Sequence, residues 1–454
     1  MLLCAVGSSA CCVLPPLTRA RHACVSYAQW AGRQAGDAMW RTQVRSQAGP
    51  DSPWYTAEIL QDLQKAYEHV DHRFLYRAAE AQGFPLGPLY VSLQSYKWPR
   101  RLRLRSQVSA DIRPGRGIAA GSAFAVFELW CLLRPALLTL SSICPSVHIS
   151  IHVDDLYLTT HGANAEDTCR RAGEAAEASQ KLFTEGLALA FAKDKGQFLV
   201  SHDKMREPAR RTNTSMQLAL EIVTAAKRLG VDHTVGAERG RRTRHARKTR
   251  RANAKGRYKK LAKMLKPRYR TRILRQAILP AATYGSHHHP IHPQDAKGWT
   301  AWALQGSPLG RAAVPASWKK AALKPTQDPT FVHHRAVIRR WAHEIWHLKT
   351  PANLRAKDHL TGRELQLAHK RLKSTTDEGL GPMAALRQTL RVLGWTADQP
   401  HRWHTDLGQE LDLTKIDDAA LGVTLVEITG DYMGMGMSNY APDQLFLTGV
   451  VDGG

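Results

Sequence analysis

Two adjacent carboxylates, Asp154 and Asp155, interrupt a run in which Val147, Ile149, Ile151 and Val153 alternate with His148, Ser150 and His152. A period of two is that of a half-buried strand. Beyond the pair, Leu156, Tyr157 and Leu158 resume an extended apolar run. The segment therefore reads as a β-hairpin with two acids at its tip. Like charges side by side repel, and a divalent cation would remove that penalty while using their hard oxygen ligands. Aspartate also favours turns that bind nothing. Upstream of the pair, the residues around Asp62 carry a period of their own. Ile59, Leu63, Ala66, Tyr67 and Val70 are spaced for a helix. On that period residues 56–82 form one amphipathic helix ending at Gly83-Phe84-Pro85, with Asp62 on its solvated face.

The charge balance points to the partner. The 454 residues hold 64 Lys and Arg against 39 Asp and Glu, a net +25. Such an excess fits a polyanion, and nucleic acid is the commonest one. No run of about 18 uncharged apolar residues occurs, so no membrane-spanning helix is expected. The cations concentrate in Arg239–Arg275, where 18 of 37 residues are Lys or Arg, and no acid lies between Glu238 and Asp295. Charge runs are commonly just solvated. Here Tyr258, Leu261, Met264, Leu265, Tyr269 and Leu274 are interleaved, so part of the stretch can pack as a helix. Its outer cations would then track phosphates without reading sequence. Arg241, Arg242, Arg244, Lys248, Arg250, Arg251, Lys259 and Lys260 are the candidates.

The elements that must position these groups divide the chain into four parts. Residues 1–50 show no clear period. Residues 51–205 read as a compact α/β region, 206–300 as basic helices, and 301–454 as a helical C-terminal region. In the last, Val337, Ile338, Trp341, Ile345 and Trp346 fall at helical spacing. Seven cysteines form no CxxC pair, which indicates neither a zinc site nor a disulfide framework and suits a reducing compartment, nuclear or cytoplasmic. The first 36 residues lack Asp and Glu, as a weak targeting peptide or an untidy gene start would. His287, His288 and His289 are adjacent, and adjacent side chains rarely converge on one ion.

The order of the motifs carries a resemblance. Gln61 to His72 resembles motif A of reverse transcriptases, with an Asp ending a strand and an aromatic, Tyr67, five residues later. Arg116 to Ala125 is similar to motif B, a Gly-rich turn before a long helix. His152-Val153-Asp154-Asp155 resembles motif C, and Gly186-Leu187-Ala188-Leu189 with Lys193 and Lys195 resembles motif D. Arg228 to Val231 and Leu279 to Gly285 are similar to the entry and exit of the thumb in enzymes of the non-LTR retrotransposon type. The resemblance covers about half the chain. It implies an α+β fold, a polymerase palm with a ferredoxin-like sheet at 51–205 and a helical thumb at 206–300.

The resemblance also implies a chemistry. RNA-directed DNA synthesis would use an RNA template, a DNA primer and deoxynucleoside triphosphates. Two Mg²⁺ ions would be held by Asp62, Asp154, Asp155 and the Leu63 carbonyl. Lys193 would lie near the leaving pyrophosphate. Tyr67 would lie under the sugar and select against a 2′ hydroxyl, while Ala120 and Gly121 would lie beside the nucleotide. Three departures stand out: His152 replaces the motif C aromatic, Ala120 a motif B Gln, and Glu68 an Asp. Residues 1–50 show no counterpart of the family's fingers, so a truncated retrotransposon remnant that extends primers poorly is expected. A non-catalytic nucleic-acid-binding protein derived from such an enzyme is the alternative. A structural basic protein with chance matches is another, and a hairpin at 147–160 lying far from Asp62 would mark it.

Overall fold

The computed structural model describes residues 25–27, 35–47, 54–235, 245–264, 267–305, 315, 323, 327–350, 359–374, 381–422 and 424–425. The chain divides into two compact units, Met1–Thr243 with Ala356–Leu360, and Arg244–Arg355 with Thr361–Gly454. The boundary at 243/244 falls inside the stretch 206–300 that reads from the sequence as one thumb.

The first unit runs β1 (Val25–Tyr27), α1 (Ala35–Gln47), β2 (Tyr55–Asp62), α2 (His72–Ala81), α3 (Leu86–Lys97), β3 (Arg103–Leu104), β4 (Gln107–Val108), α4 (Ala125–Ile143), β5 (His148–His152), β6 (Asp155–Gly162), α5 (Ala165–Leu187), β7 (Gln197–Val200), α6 (Arg206–Ser215), β8 (Glu221–Val223), β9 (Ala226–Arg228) and β10 (Val231–His233). Within it, β2-α4-β5-β6-α5-β7 is a βαββαβ unit. Its strands lie in the order β5-β6-β2-β7, each antiparallel to its neighbour. This is the ferredoxin-like connectivity. Strands β1 and β8 extend it in parallel at the two edges, giving a six-stranded mixed sheet.

Helices α4 and α5 fill one face. Leu129, Leu132 and Leu137 of α4 and Phe183 of α5 pack with Ala57, Ile59, Ile149, Leu156, Leu158 and Phe198 in one core cluster. Among the described helices, α4 alone has the length and hydropathy to cross a membrane, and its apolar side chains belong to this core. Pro135 lies inside α4 and cannot donate to the Cys131 carbonyl four residues back. The Gln82 amide donates to that carbonyl instead, at 2.6 Å. Asn164 caps α5 by accepting from the Glu166 and Asp167 amides at 2.8 and 3.1 Å.

The other face of β2 carries Glu58, Leu60 and Asp62, because side chains alternate along a strand. Hairpin β9–β10 covers its middle. Leu229 and Gly230 both have positive φ, 46° and 78°, as a I′ turn requires. Arg228 and His233 bind the buried Glu58 carboxylate at 2.5 and 2.9 Å. The Arg228 guanidinium also lies 3.5 Å from the Tyr157 ring centroid.

The second unit is α7 (His245–Met264), α8 (Pro267–Ile273), a π turn at Leu274–Ile278, α9 (Leu279–Thr283), α10 (Pro293–Gln305), α11 (Pro329–Leu348), α12 (Gly362–Ser374), α13 (Pro382–Leu393), then β11 (Thr396–Ala397), β12 (Arg402–His404) and β13 (Glu410–Asp412). Of the expected stripe on α11, Val337, Ile338, Trp341 and Ile345 are all at most 4% exposed, and Trp346 is half-buried. The Trp341 and Trp346 indole N–H groups donate to Pro400 and Leu413 carbonyls, tying α11 to the small sheet. That three-stranded sheet corrects the all-helical reading of the region. Strands of two or three residues are too short to display a period of two.

Candidate active site

Asp62 is the last residue of β2, and Asp155 is the first of β6, directly opposite in the antiparallel register. The ladder therefore sets these two carboxylates side by side. Asp154 lies in the two-residue turn between β5 and β6. The Leu63 amide donates to the Asp154 carbonyl at 2.8 Å, which clamps that turn to the exit of β2. One oxygen from each of Asp62, Asp154 and Asp155 lies within 4.8 Å of the others. The reading of residues 56–82 as one helix is thereby corrected: Tyr55–Asp62 is a strand, and Asp62 ends it facing the hairpin tip. A hairpin far from Asp62 would have marked the chance-match reading, and the hairpin lies beside it.

The turn itself is strained. Val153 sits at φ 58°, in the left-handed region. A β-branched residue is a true outlier there, because its Cβ crowds the backbone. Such strain is held by surrounding structure and tends to gather where geometry matters.

Electrostatics agree with the crowding of like charges. Burial, then the charges of Asp154 and Asp62, push the Asp155 carboxyl up to about 6. Burial and the nearby Asp62 likewise raise Asp154. Three carboxylate oxygens at this separation suit a hard cation such as Mg²⁺ or Mn²⁺. The donor set thus fits a divalent ion, and Asp62, Asp154 and Asp155 would hold it. Because Asp155 titrates higher in the folded chain than its ordinary 3.8, the fold binds extra protons between about pH 4 and 6 and loses stability as pH rises through that window. A bound cation offsets this loss. Millimolar Mg²⁺ should therefore raise the melting temperature at pH 8, lose this effect below pH 6, and have little effect on Asp155→Asn. Equal shifts at pH 5 and pH 8 would place the ion elsewhere.

Other expected groups are placed as follows. Lys195 pairs with Asp62, Nζ to Oδ2 at 2.5 Å. Lys193, the residue read from the sequence, is exposed two positions earlier in the same turn. The lysine that touches the carboxylate group is thus Lys195. Tyr67 is partly buried, and burial and then the charge of Asp154 raise its phenol. Its carbonyl accepts from the Ile118 amide, and the Val70 carbonyl from the Gly117 amide, both at 2.8 Å. These bonds strap the turn before α4 to the segment after Asp62. Gly117 has φ +95°, and a Cβ there would lie 2.8 Å from the Glu68 carbonyl oxygen, so only glycine fits. Ala120 and Gly121 follow on the exposed turn. His152 pairs across the hairpin with Asp155.

Of the basic candidates, Arg241, Arg242 and Arg244 lie outside the described residues. Lys248, Lys259 and Lys260 are exposed along α7. Arg250 donates to the Tyr284 carbonyl at 2.6 Å, and Arg251 pairs with Asp295 at 2.7 Å, so both are engaged within the second unit. His288 and His289 are buried in that unit. Reading the sequence passed over a second basic surface. Lys97, Arg100, Arg101, Arg103, Arg105, Arg113 and Arg116 occur in 20 residues with one acid, Asp111. They surround the β3–β4 ribbon, beside the exposed Trp98, Leu102 and Leu104. A local charge count would have found it.

No family model matches the chain, and no curated protein matches it. Among solved structures it is similar to telomerase from Candida albicans in complex with the TWJ fragment of telomeric RNA, at 10% identity and a TM-score of 0.24. The alignment covers 63% of this chain and 49% of that one, so the chain spans about half the length of the telomerase. A likeness this faint carries no weight for fold or chemistry, and the functional reading rests on the site itself.

Proposed function

We propose that the first unit is a polymerase palm and that the protein is an RNA-directed DNA polymerase. The observation that carries this reading is the convergence of Asp62 and the Asp154–Asp155 hairpin at one end of a βαββαβ sheet. Divalent ions, when bound, would lower the barrier to nucleotidyl transfer by polarising the attacking and leaving oxygens. The chain's own part is to hold Asp62, Asp154 and Asp155 on rigid strands, so that no reorganisation is needed at the moment of reaction. Lys195, released from Asp62, and Lys193 beside it would neutralise charge on the departing pyrophosphate. Lys248, Lys259 and Lys260 and the β3–β4 cations would bind nucleic-acid phosphates without regard to sequence.

Tyr67 would close the site below the sugar. Tyr67→Ala should then raise the ratio of ribonucleotide to deoxynucleotide incorporation about tenfold or more, the scale on which one small group discriminates. Single-nucleotide incorporation assays measure that ratio, and an unchanged value would reduce Tyr67 to packing.

A second reading, a non-catalytic nucleic-acid-binding protein derived from such an enzyme, is favoured by Lys195 on Asp62 and by the replacements at Ala120 and His152. Primer extension by the full chain, with Mg²⁺, an RNA template and an Asp154→Asn control, separates the two. Extension that the control abolishes supports the polymerase. Tight duplex binding with no control-sensitive extension supports the alternative.

A further inference from the structure

The second unit contains a groove that the carboxylate group does not use. Its cavity is about 670 Å³, within the range of small-molecule sites. The end of α11 forms one wall, with Ile345, Leu348 and Lys349, and the segment Asp398–His401 another. Helix α12 forms the third. Its lining residues Gly362, Leu365, Gln366, His369, Lys370 and Lys373 recur at helical spacing, so one stripe of the helix faces the groove. That stripe begins apolar and ends basic.

The chemistry of the lining is one-sided. Lys349, Lys370 and Lys373 contribute three cations, and His369 and His401 two imidazoles. Asp398 is the one acid among the described lining residues, and it pairs with His404 at 3.1 Å. His369 is oriented by its Nε2 contact to the Ala397 carbonyl at 2.9 Å. Lysines on a concave wall with an apolar floor concentrate positive potential in the groove. Lysine binds phosphate as a point charge. The described lining holds no Phe, Tyr or Trp on which a base could stack. Recognition would therefore fall on phosphates and not on bases.

We propose that this groove binds phosphate esters, either the polyphosphate of a free nucleotide or the backbone of a nucleic-acid strand. The site is independent of the polymerase reading, since none of its residues belongs to the first unit. The test uses the full chain without divalent cation, so that the carboxylate group captures nothing. Binding of inorganic tripolyphosphate is measured by calorimetry for the wild type, for Lys370→Glu/Lys373→Glu, and for Arg170→Glu/Lys181→Glu. The last pair makes the same charge change on exposed residues of α5. The groove pair should lose about tenfold or more in affinity, the milder Lys370→Gln/Lys373→Gln should lose less, and the α5 pair should stay near the wild type. Equal losses in the groove and α5 pairs, or none in the groove pair, would overturn the site.

A single-stranded oligothymidine then distinguishes the sources. If the ligand is a strand, it displaces tripolyphosphate, and its log–log salt slope falls by about 0.7 for each lysine removed. If it does not compete, the ligand is a free phosphate compound. Neither result depends on extension activity.

Discussion

We expect Asp154→Asn to abolish any template-directed primer extension and to leave duplex binding intact. The carboxylate lies in a turn that the Leu63 amide fixes, within reach of Asp62 and Asp155. Asparagine keeps the size of the side chain and much of its hydrogen bonding, so the hairpin should persist. It removes one of three negative charges that a divalent cation would balance. Charge placed where charge develops is commonly the largest single contribution to rate, and removing one such group costs about 10²–10³-fold. A metal-holding carboxylate should cost at least about 10³-fold, or about 4 kcal/mol of barrier. Single-turnover extension on an RNA template checks this against filter binding of the same duplex. Residual extension within tenfold of the wild type would remove the carboxylate group from the chemistry.

Glu58→Ala should destabilise the first unit by about 3–5 kcal/mol, because it strands a buried guanidinium. Glu58 is fully buried between Arg228 and His233. Burial alone would oppose its ionisation, but the charges of Arg228 and His233 outweigh it and hold the carboxyl at about 2. Because this value lies below the ordinary 4.5, the pair's stabilisation is present above about pH 4.5 and is lost as pH falls toward 2. Losing Glu58 should release the β9–β10 hairpin from the sheet face. Urea denaturation monitored at several wavelengths measures the loss. The double substitution Glu58→Leu/Arg228→Met, apolar on both sides, should recover most of it. If Glu58→Ala costs under 1 kcal/mol, the hairpin is held by its apolar contacts instead.

The hairpin was legible in the sequence because one of its strands alternates plainly from Val147 to Val153. Strand β2 was not. Both its faces are buried, with Ile59 and Glu58 at 0% and Leu60 at 7% exposure. A strand buried on both sides has no alternation to read, and Ile59 and Leu63 then mimic a helical step. Motif order, and not period, placed Asp62. The choice between Lys193 and Lys195 depended on the course of a single turn, which no pattern of residue types specifies. Glu58, Arg228 and His233 carried no local signal, since their pairing joins residues 170 and 175 positions apart.

The first unit is also discontinuous along the chain, since Ala356–Leu360 returns to it. Leu360 is fully buried, and the His359 carbonyl accepts from Arg45 at 2.9 Å, while its ring meets Arg41 at 3.2 Å. Synthesis therefore cannot complete this unit at its own carboxyl boundary. After Thr243 leaves the ribosome, a further stretch of about 117 residues must be translated first, which at typical elongation rates takes about 6–23 s. Throughout that interval, Arg41 and Arg45 of α1 lack the His359 contacts that hold them in the finished unit.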